Sequence, residues 1–333
     1  MLDRCRHRSS ALALTALLVT FPSASHAQNR PGSIGALQPP ASAPRTSVID
    51  ADRLIDDLRA LSSPALEGRL TGSAGNKRAQ ALILDRFKQL GLRPVNGSYE
   101  QAFAFKSAGR GGERAFPDAT NIMGMAAGTS AADTFIIVSA HYDHLGVRDG
   151  RTYHGADDNA SGVAALLAIA GWFAQHPPRT SVLLVAFDAE EQGLQGAKHF
   201  VARPPVDLGR VKAIVNMDMI GRGDKGTLFV AGTSQNPSLK PLVAEAAARR
   251  TLTLAFGHDK PASQASGLDD WTNSSDHGPF NAAGIPFLYF GVEDHPDYHK
   301  PTDTADKIPR AFYVEAVRVV LDTVRRLSDD ASR

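Results

Sequence analysis

Two adjacent carboxylates, Glu190 and Glu191, follow Asp188-Ala189 at the point where the apolar run Val182-Leu183-Leu184-Val185-Ala186 ends. Chemistry uses such a pair when one carboxylate holds a metal ion and its neighbour moves a proton. Four further clusters carry the same mixture of types: His141-Tyr142-Asp143-His144, Gly155-Ala156-Asp157-Asp158-Asn159-Ala160-Ser161-Gly162, Asn216-Met217-Asp218-Met219, and Asp297-Tyr298-His299-Lys300-Pro301-Thr302-Asp303-Thr304. Together they offer imidazoles and carboxylates but no thiolate. That donor set suits Zn2+, with Mn2+ or Co2+ as substitutes by ligand type. Charge favours two ions, because two divalent cations are neutralised by three ligating carboxylates and one hydroxide, and a half-buried site needs neutrality.

These clusters must be positioned by the elements that precede them. Thr134–Ala140, Val182–Phe187 and Val211–Met217 read as buried strands, and each delivers one cluster at its end. Further strands are expected at Glu100–Phe105, Thr120–Met125, Leu228–Ala231 and Ile285–Phe290, with the Gly/Arg-rich stretch Ser107–Arg114 as a loop. Helical spacing covers Ser47–Leu61, with Ser47 as its cap, Asn76–Leu90 ended by Gly91, Ser161–His176 stopped by Pro177-Pro178, Pro237–Arg250 and Ala311–Leu327. Strands and helices alternate, which predicts an α/β fold with a mixed, mostly parallel central sheet and helices on both faces. In such sheets ligands bind beyond the carboxyl ends of the strands, so the clusters should share one crevice. The loop Pro64–Ser73, with Glu67 and Arg69, and the polar stretch Phe256–Ser275 read as solvated connections.

The chain has 333 residues, 43% hydrophobic and 21% charged, with a formal charge of +1. That balance implies no basic face and excludes nucleic acid as a favoured partner. Arg4, Arg6 and Arg8, the apolar Ala11–Phe21 and Ala24-Ser25-His26-Ala27 follow one another as the three parts of an export signal, cut after Ala27. Its apolar part is too short to span a membrane, so no membrane partner is expected once it is removed. Removal takes three arginines and one aspartate and leaves a charge of −1. The only cysteine, Cys5, leaves with it, so the mature chain has no disulfide and no thiolate ligand. Residues 28–46 read as a Pro-rich linker and 47–333 as one catalytic domain in the periplasm or outside the cell.

From Leu61-Ser62-Ser63 to Lys307-Ile308 the chain resembles the M28 family of zinc metallopeptidases, the co-catalytic di-zinc aminopeptidases. The resemblance implies a zinc-exopeptidase, phosphorylase/hydrolase-like fold and a peptide substrate with a free N-terminus. It implies His141, Asp158, Glu191, Asp218 and His299 as metal ligands, with Asp158 bridging both ions. It implies Glu190 as the general base, Asp143 as the orienter of His141, and Tyr298 as an oxyanion-stabilising phenol. A cis peptide after Asp158 is also implied. Met219, Ile220, Asp276 and His277 are candidates for the substrate-binding wall, while His144, His154, His295, Arg222, Glu293 and Asp294 are candidates to line the crevice. Two other activities belong to the same expectation: a mono-zinc glutaminyl cyclase, against which the presence of both His141 and Asp218 argues, and a carboxypeptidase. A non-catalytic binding module would require lost ligands, and none is missing.

Overall fold

The run that precedes Glu190 is strand β6 (Thr180–Phe187), and all of its residues are buried. Val182, Leu184 and Ala186 pack into one hydrophobic layer, and Leu183, Val185 and Phe187 into the other. A strand covered on both faces needs no polar alternation, which is why the sequence reads as unbroken apolar residues. The computed structural model describes residues 49–109, 112–259 and 269–330. The expected export signal at 1–27, the linker at 28–46 and the Ser47 cap lie outside the described residues.

Strand β6 belongs to an eight-stranded sheet with β1 (Glu100–Gly109), β2 (Gly112–Ala126), β3 (Ala131–His141), β7 (Val211–Met217), β8 (Thr227–Ala231), β9 (Thr253–Phe256) and β10 (Phe287–Gly291), in the spatial order β1-β2-β6-β3-β7-β10-β8-β9. The four central strands, β6, β3, β7 and β10, are mutually parallel. The pairs β1–β2, β2–β6 and β10–β8 are antiparallel, and β8–β9 is parallel. Register aligns His141 with Phe187, and Met217 with Phe290. The clusters after these residues therefore leave the sheet side by side. Two short strands, β4 (Val147–Arg148) and β5 (Arg151–Thr152), form a separate hairpin turning at Asp149-Gly150.

One face of the sheet is covered by α1 (Ala51–Leu61), α2 (Ala74–Gln89), α3 (Gly162–Gln175), α5 (Lys240–Ala247) and α7 (Arg310–Asp329). The other carries α4 (Gln195–Ala202) and α6 (His277–Ala282). On that side Phe187, Phe200 and Phe280 meet with ring centroids 5.5–6.1 Å apart. Each buried ring contributes roughly 1.5–3 kcal/mol, so this triad holds α4 and α6 beneath the strand that delivers Glu190. The chain from Thr46 onward is one compact unit. Among the described residues no helix is long and apolar enough to cross a membrane.

Three local expectations are corrected. Helix α1 starts at Ala51, where the Asp50 side chain accepts from Arg53 N at 3.0 Å, so Asp50 is its cap rather than Ser47. The stretch Ser107–Arg114 is largely strand: β1 runs to Gly109 and β2 starts at Gly112. Cross-strand pairs hold it there, with Phe105 stacked on Phe116 at 4.7 Å and Lys106 paired with Glu113 at 2.7 Å. Strand β9 ends at Phe256, which the sequence assigns to a polar loop; residues 260–268 of that stretch lie outside the described residues.

Candidate metal centre and active site

Asp158 is the point on which the site is built. It lies between β5 and α3, and its peptide bond to Asn159 is cis, the isomer the resemblance implies. Its flanking residues are fastened to the ends of other elements. Asp157 Oδ1 accepts from the backbone N–H groups of Gly221 and Arg222 at 2.7 and 3.2 Å. Asn159 donates to Met217 O at 2.9 Å and accepts from Gly162 N at 2.9 Å. Asp303, in the loop after His299, accepts from the backbone N–H groups of Asp157 and Asp158 at 2.9–3.1 Å. These bonds satisfy backbone that would otherwise be buried without partners and aim the Asp158 carboxylate at the strand ends.

Two triads meet at that carboxylate. His141 Nε2, at the end of β3, is 3.4 Å from Asp158 Oδ1 and 3.2 Å from Asp218 Oδ1, at the end of β7. His299 Nε2 is 3.1 Å from Asp158 Oδ2 and 3.4 Å from Glu191 Oε2. Donors bound tetrahedrally at zinc distances stand about 3.3 Å apart, so both sets of separations fit ions placed between them. Among the described residues, no lysine or arginine forms an ion pair with Asp158, Glu190, Glu191 or Asp218; their ion-pair partners are histidines. The donors present therefore fit a pair of divalent cations. Burial opposes protonation of His141, yet Asp218 and Glu190 raise its pKa well above the usual histidine range. His299 likewise rises to about 10 against its own burial, through Asp158 and Glu191. Burial would raise Asp158, but His144, His141 and His299 hold it well below the usual range.

Glu190 and Glu191 are separated in role by geometry. Ala189 adopts a left-handed φ of +59° and turns the chain after β6. Glu190 Oε2 then lies 4.0 Å from His141 Nε2, beside the first triad, while Glu191 joins the second. Burial, and then Asp218 and Asp276, push the Glu190 carboxyl well above its usual value despite His141. A proton-accepting carboxylate at neutral pH needs that direction of shift. Asp143 does more than the sequence implies. His141 Nδ1 is 3.2 Å from the Asp143 backbone carbonyl and 3.7 Å from its carboxylate. The Asp143 carboxylate instead accepts from Glu190 N at 3.0 Å and Glu191 N at 3.3 Å. It holds the turn that carries both glutamates.

Other candidates divide between wall and support. Tyr298 stacks on His299 with centroids 4.0 Å apart, and burial together with Asp158 keeps its phenol protonated. Met219 is 6% exposed at φ +57°. Ile220 is fully buried in the main core, so its side chain does not line the crevice. His277 Nε2 donates to Trp271 O at 2.7 Å, since a carbonyl only accepts, and the ring stacks on Phe287 and Tyr289. Burial lowers its pKa to about 4, leaving a neutral wall. Asp276 is fully buried with neither carboxylate oxygen hydrogen-bonded, and burial raises its pKa well above normal. Arg222 is occupied by Asp224 and Asp297 at 2.8 and 3.0 Å and is not free for a substrate carboxylate. His295 pairs with Asp157 at 3.2 Å, and His154 Nδ1 with Ser62 O at 3.1 Å. A cavity of about 150 Å³ beside this loop is lined by Phe229, Val292, Glu293 and Asp294.

Two residues are more involved than the sequence suggests. Arg69 is buried, not solvated. It donates to Tyr142 O, Leu61 O, His154 O and Gly155 O at 2.6–3.0 Å, tying the His141 segment to the Asp158 loop. His144 is fully buried, with Nδ1 2.7 Å from Glu191 Oε1. No periodicity signals either; both are placed by contacts between distant segments.

The description "Peptidase family M28" matches residues 121–324, more than half of the chain. Aminopeptidase YwaD of Bacillus subtilis (strain 168) is 31% identical over 197 residues, covering 57% of this chain and 40% of that protein. The solved structure of BSAP, a zinc aminopeptidase from Bacillus subtilis, superposes with a TM-score of 0.68 at 19% identity, over 87% of this chain and 98% of that one. A Porphyromonas gingivalis glutaminyl cyclase superposes with a TM-score of 0.67 at 20% identity, over 84% and 98%. At these identities the structural likeness is one of fold. The chain spans less than half the length of the first curated relatives it matches.

Proposed function

The chain belongs to peptidase family M28, and from that premise we propose that it is an exported aminopeptidase that hydrolyses the N-terminal peptide bond of peptides with a pair of zinc ions. The observation that carries this reading is the pair of triads sharing Asp158: His141, Asp158 and Asp218 would hold one ion, and Asp158, Glu191 and His299 the other. When bound, the ions supply Lewis acidity toward a substrate carbonyl and make water acidic near neutral pH. Glu190 takes the proton of the attacking water on its carboxylate and returns it to the leaving amine, for which its raised pKa suits it. Asp143 keeps Glu190 and Glu191 in their separate positions through the two backbone N–H groups. The Tyr298 phenol, kept protonated, donates to the carbonyl oxygen as charge develops there. Asp294 supplies negative charge for a substrate α-ammonium, while Glu293 beside it is paired with Lys225 at 3.4 Å. The ordered positive, apolar and cleavage segments of residues 1–27 support export.

The test is a panel of aminoacyl chromogenic substrates, their N-acetyl counterparts, C-terminally blocked peptides and N-terminal glutaminyl peptides, with and without chelator, alongside zinc analysis. The reading expects turnover of free-amine substrates only, loss with chelator and two zinc ions per chain. One zinc with cyclisation of the glutaminyl peptides would make the chain a cyclase. Cleavage restricted to unblocked C-termini would make it a carboxypeptidase.

A further inference from the structure

His144 and His299 meet Glu191 at different oxygens, their ring centroids 6.0 Å apart. Its Nδ1 is 2.7 Å from Glu191 Oε1, whereas Glu191 Oε2 is the oxygen near His299 Nε2. An ionised carboxylate only accepts, so Nδ1 carries the hydrogen and its lone pair is not available to an ion. The distance itself is that of a charge-assisted hydrogen bond and is shorter than the roughly 3.3 Å edge between two ligands of one tetrahedral zinc. Nδ1 is also 3.7 Å from Asp158 Oδ2, beyond hydrogen-bond reach. Gly155 lies against the ring, and a Cβ there would stand 2.5 Å from His144 Cδ2. The other nitrogen, Nε2, is buried and has no hydrogen-bond partner.

We propose that His144 is a positioning residue for the second ion: its Nδ1–H holds Glu191 Oε1, so that Oε2 alone is presented to the ion beside Asp158 and His299. The proposal rests on the two-ion reading above and extends it to a residue that binds no ion itself. Partners of this kind hold a liganding group in its binding orientation, and their loss weakens metal affinity. His144, Asp158 and Glu191 are also close enough to form a ligand group of their own, so the experiment must separate a donor from a ligand.

Asparagine makes the separation, because its amide nitrogen stands as many bonds from the backbone as Nδ1 and can donate but binds zinc poorly. The full chain, stripped with chelator, is titrated with zinc by calorimetry as wild type, His144→Ala and His144→Asn, with circular dichroism to confirm folding. Wild type gives two sites. His144→Ala leaves one site unchanged and weakens the other about 10–100-fold, and His144→Asn restores both close to wild type. Equal loss in His144→Asn and His144→Ala would make the imidazole a ligand and overturn the proposal. Two unchanged sites in His144→Ala, or both sites weakened together, would overturn it as well. If His144→Ala does not fold, His144→Asn decides alone, since a retained second site supports the donor and a lost one refutes it. A wild type that takes up a single zinc would instead defeat the two-ion reading.

Discussion

Replacing Arg69 by methionine should cost more than any surface substitution, because the guanidinium is 1% exposed and serves four backbone carbonyls. Leaving a buried acceptor without a donor costs about 1–3 kcal/mol, so four give a gross loss of about 4–12 kcal/mol. Part is returned. Burial lowers the Arg69 pKa from 12.5 to about 10 against the pull of Asp158 and Asp143. At 1.36 kcal/mol per unit, a neutral side chain of similar volume escapes a penalty of about 3 kcal/mol. Water entering the gap satisfies some carbonyls, which favours the lower part of the range. The expected net loss is about 3–5 kcal/mol, the size seen when a buried charged partner is removed. Arg69→Lys should fall between, since an ammonium cannot reach all four carbonyls from one point. Urea unfolding of the chelated full chain measures the loss, with zinc titration as the second readout, because Tyr142 and Gly155 lie beside the segments that carry His141 and Asp158. An Arg69→Met protein within about 1 kcal/mol of wild type would refute the reasoning, since not even one unsatisfied carbonyl would then have been felt.

Two further outcomes follow from local geometry. Gly155 has φ +56°, and a Cβ there would lie 2.0 Å from Asp158 O, whereas Gly72 has φ +76° with nothing within 4 Å. Thermal unfolding should show Gly72→Ala losing only the left-handed penalty of about 1–2 kcal/mol, while Gly155→Ala loses markedly more and also zinc affinity; equal effects would contradict the packing described. His277 is held neutral by burial, with a pKa of about 4 against 6.5 unfolded. The unfolded chain therefore binds more protons between those values, and stability rises with pH across that window by up to about 3 kcal/mol. Chelated wild type compared with His277→Phe from pH 4 to 7 should show that gain in the difference; a flat difference would refute it.

Much of this arrangement is legible in the sequence because parallel strands end together. The apolar runs that stop at His141, Asp188 and Asp218 are β3, β6 and β7, and β7 spans Val211–Met217, the stretch its composition marks. The layer alternation of a doubly covered strand leaves an unmistakable apolar run. Short elements leave no such trace. Helix α6 has six residues and includes Gly278 and Pro279, and α4 has eight, about two turns, too few for a helical period to stand out. Both are held by the Phe187, Phe200 and Phe280 contacts rather than by propensity. The same holds within the site. Asp143 grips the backbone of Glu190 and Glu191 across 47 and 48 residues, and Arg69 bonds Gly155 across 86. Local spacing carries no record of such pairings. Ile220 follows Asp218 by two residues and reads as a pocket wall, but the turn at Met219 sends it into the core.

The central claim is that Glu190 moves the proton while its neighbour holds an ion. Glu190→Gln, loaded with zinc and assayed on an aminoacyl chromogenic substrate, tests it most directly. The account predicts two zinc ions bound as in wild type and kcat lower by about 10²–10⁴-fold, the range of general acid–base catalysis. A Glu190→Gln protein that binds zinc normally and keeps its full kcat would contradict it.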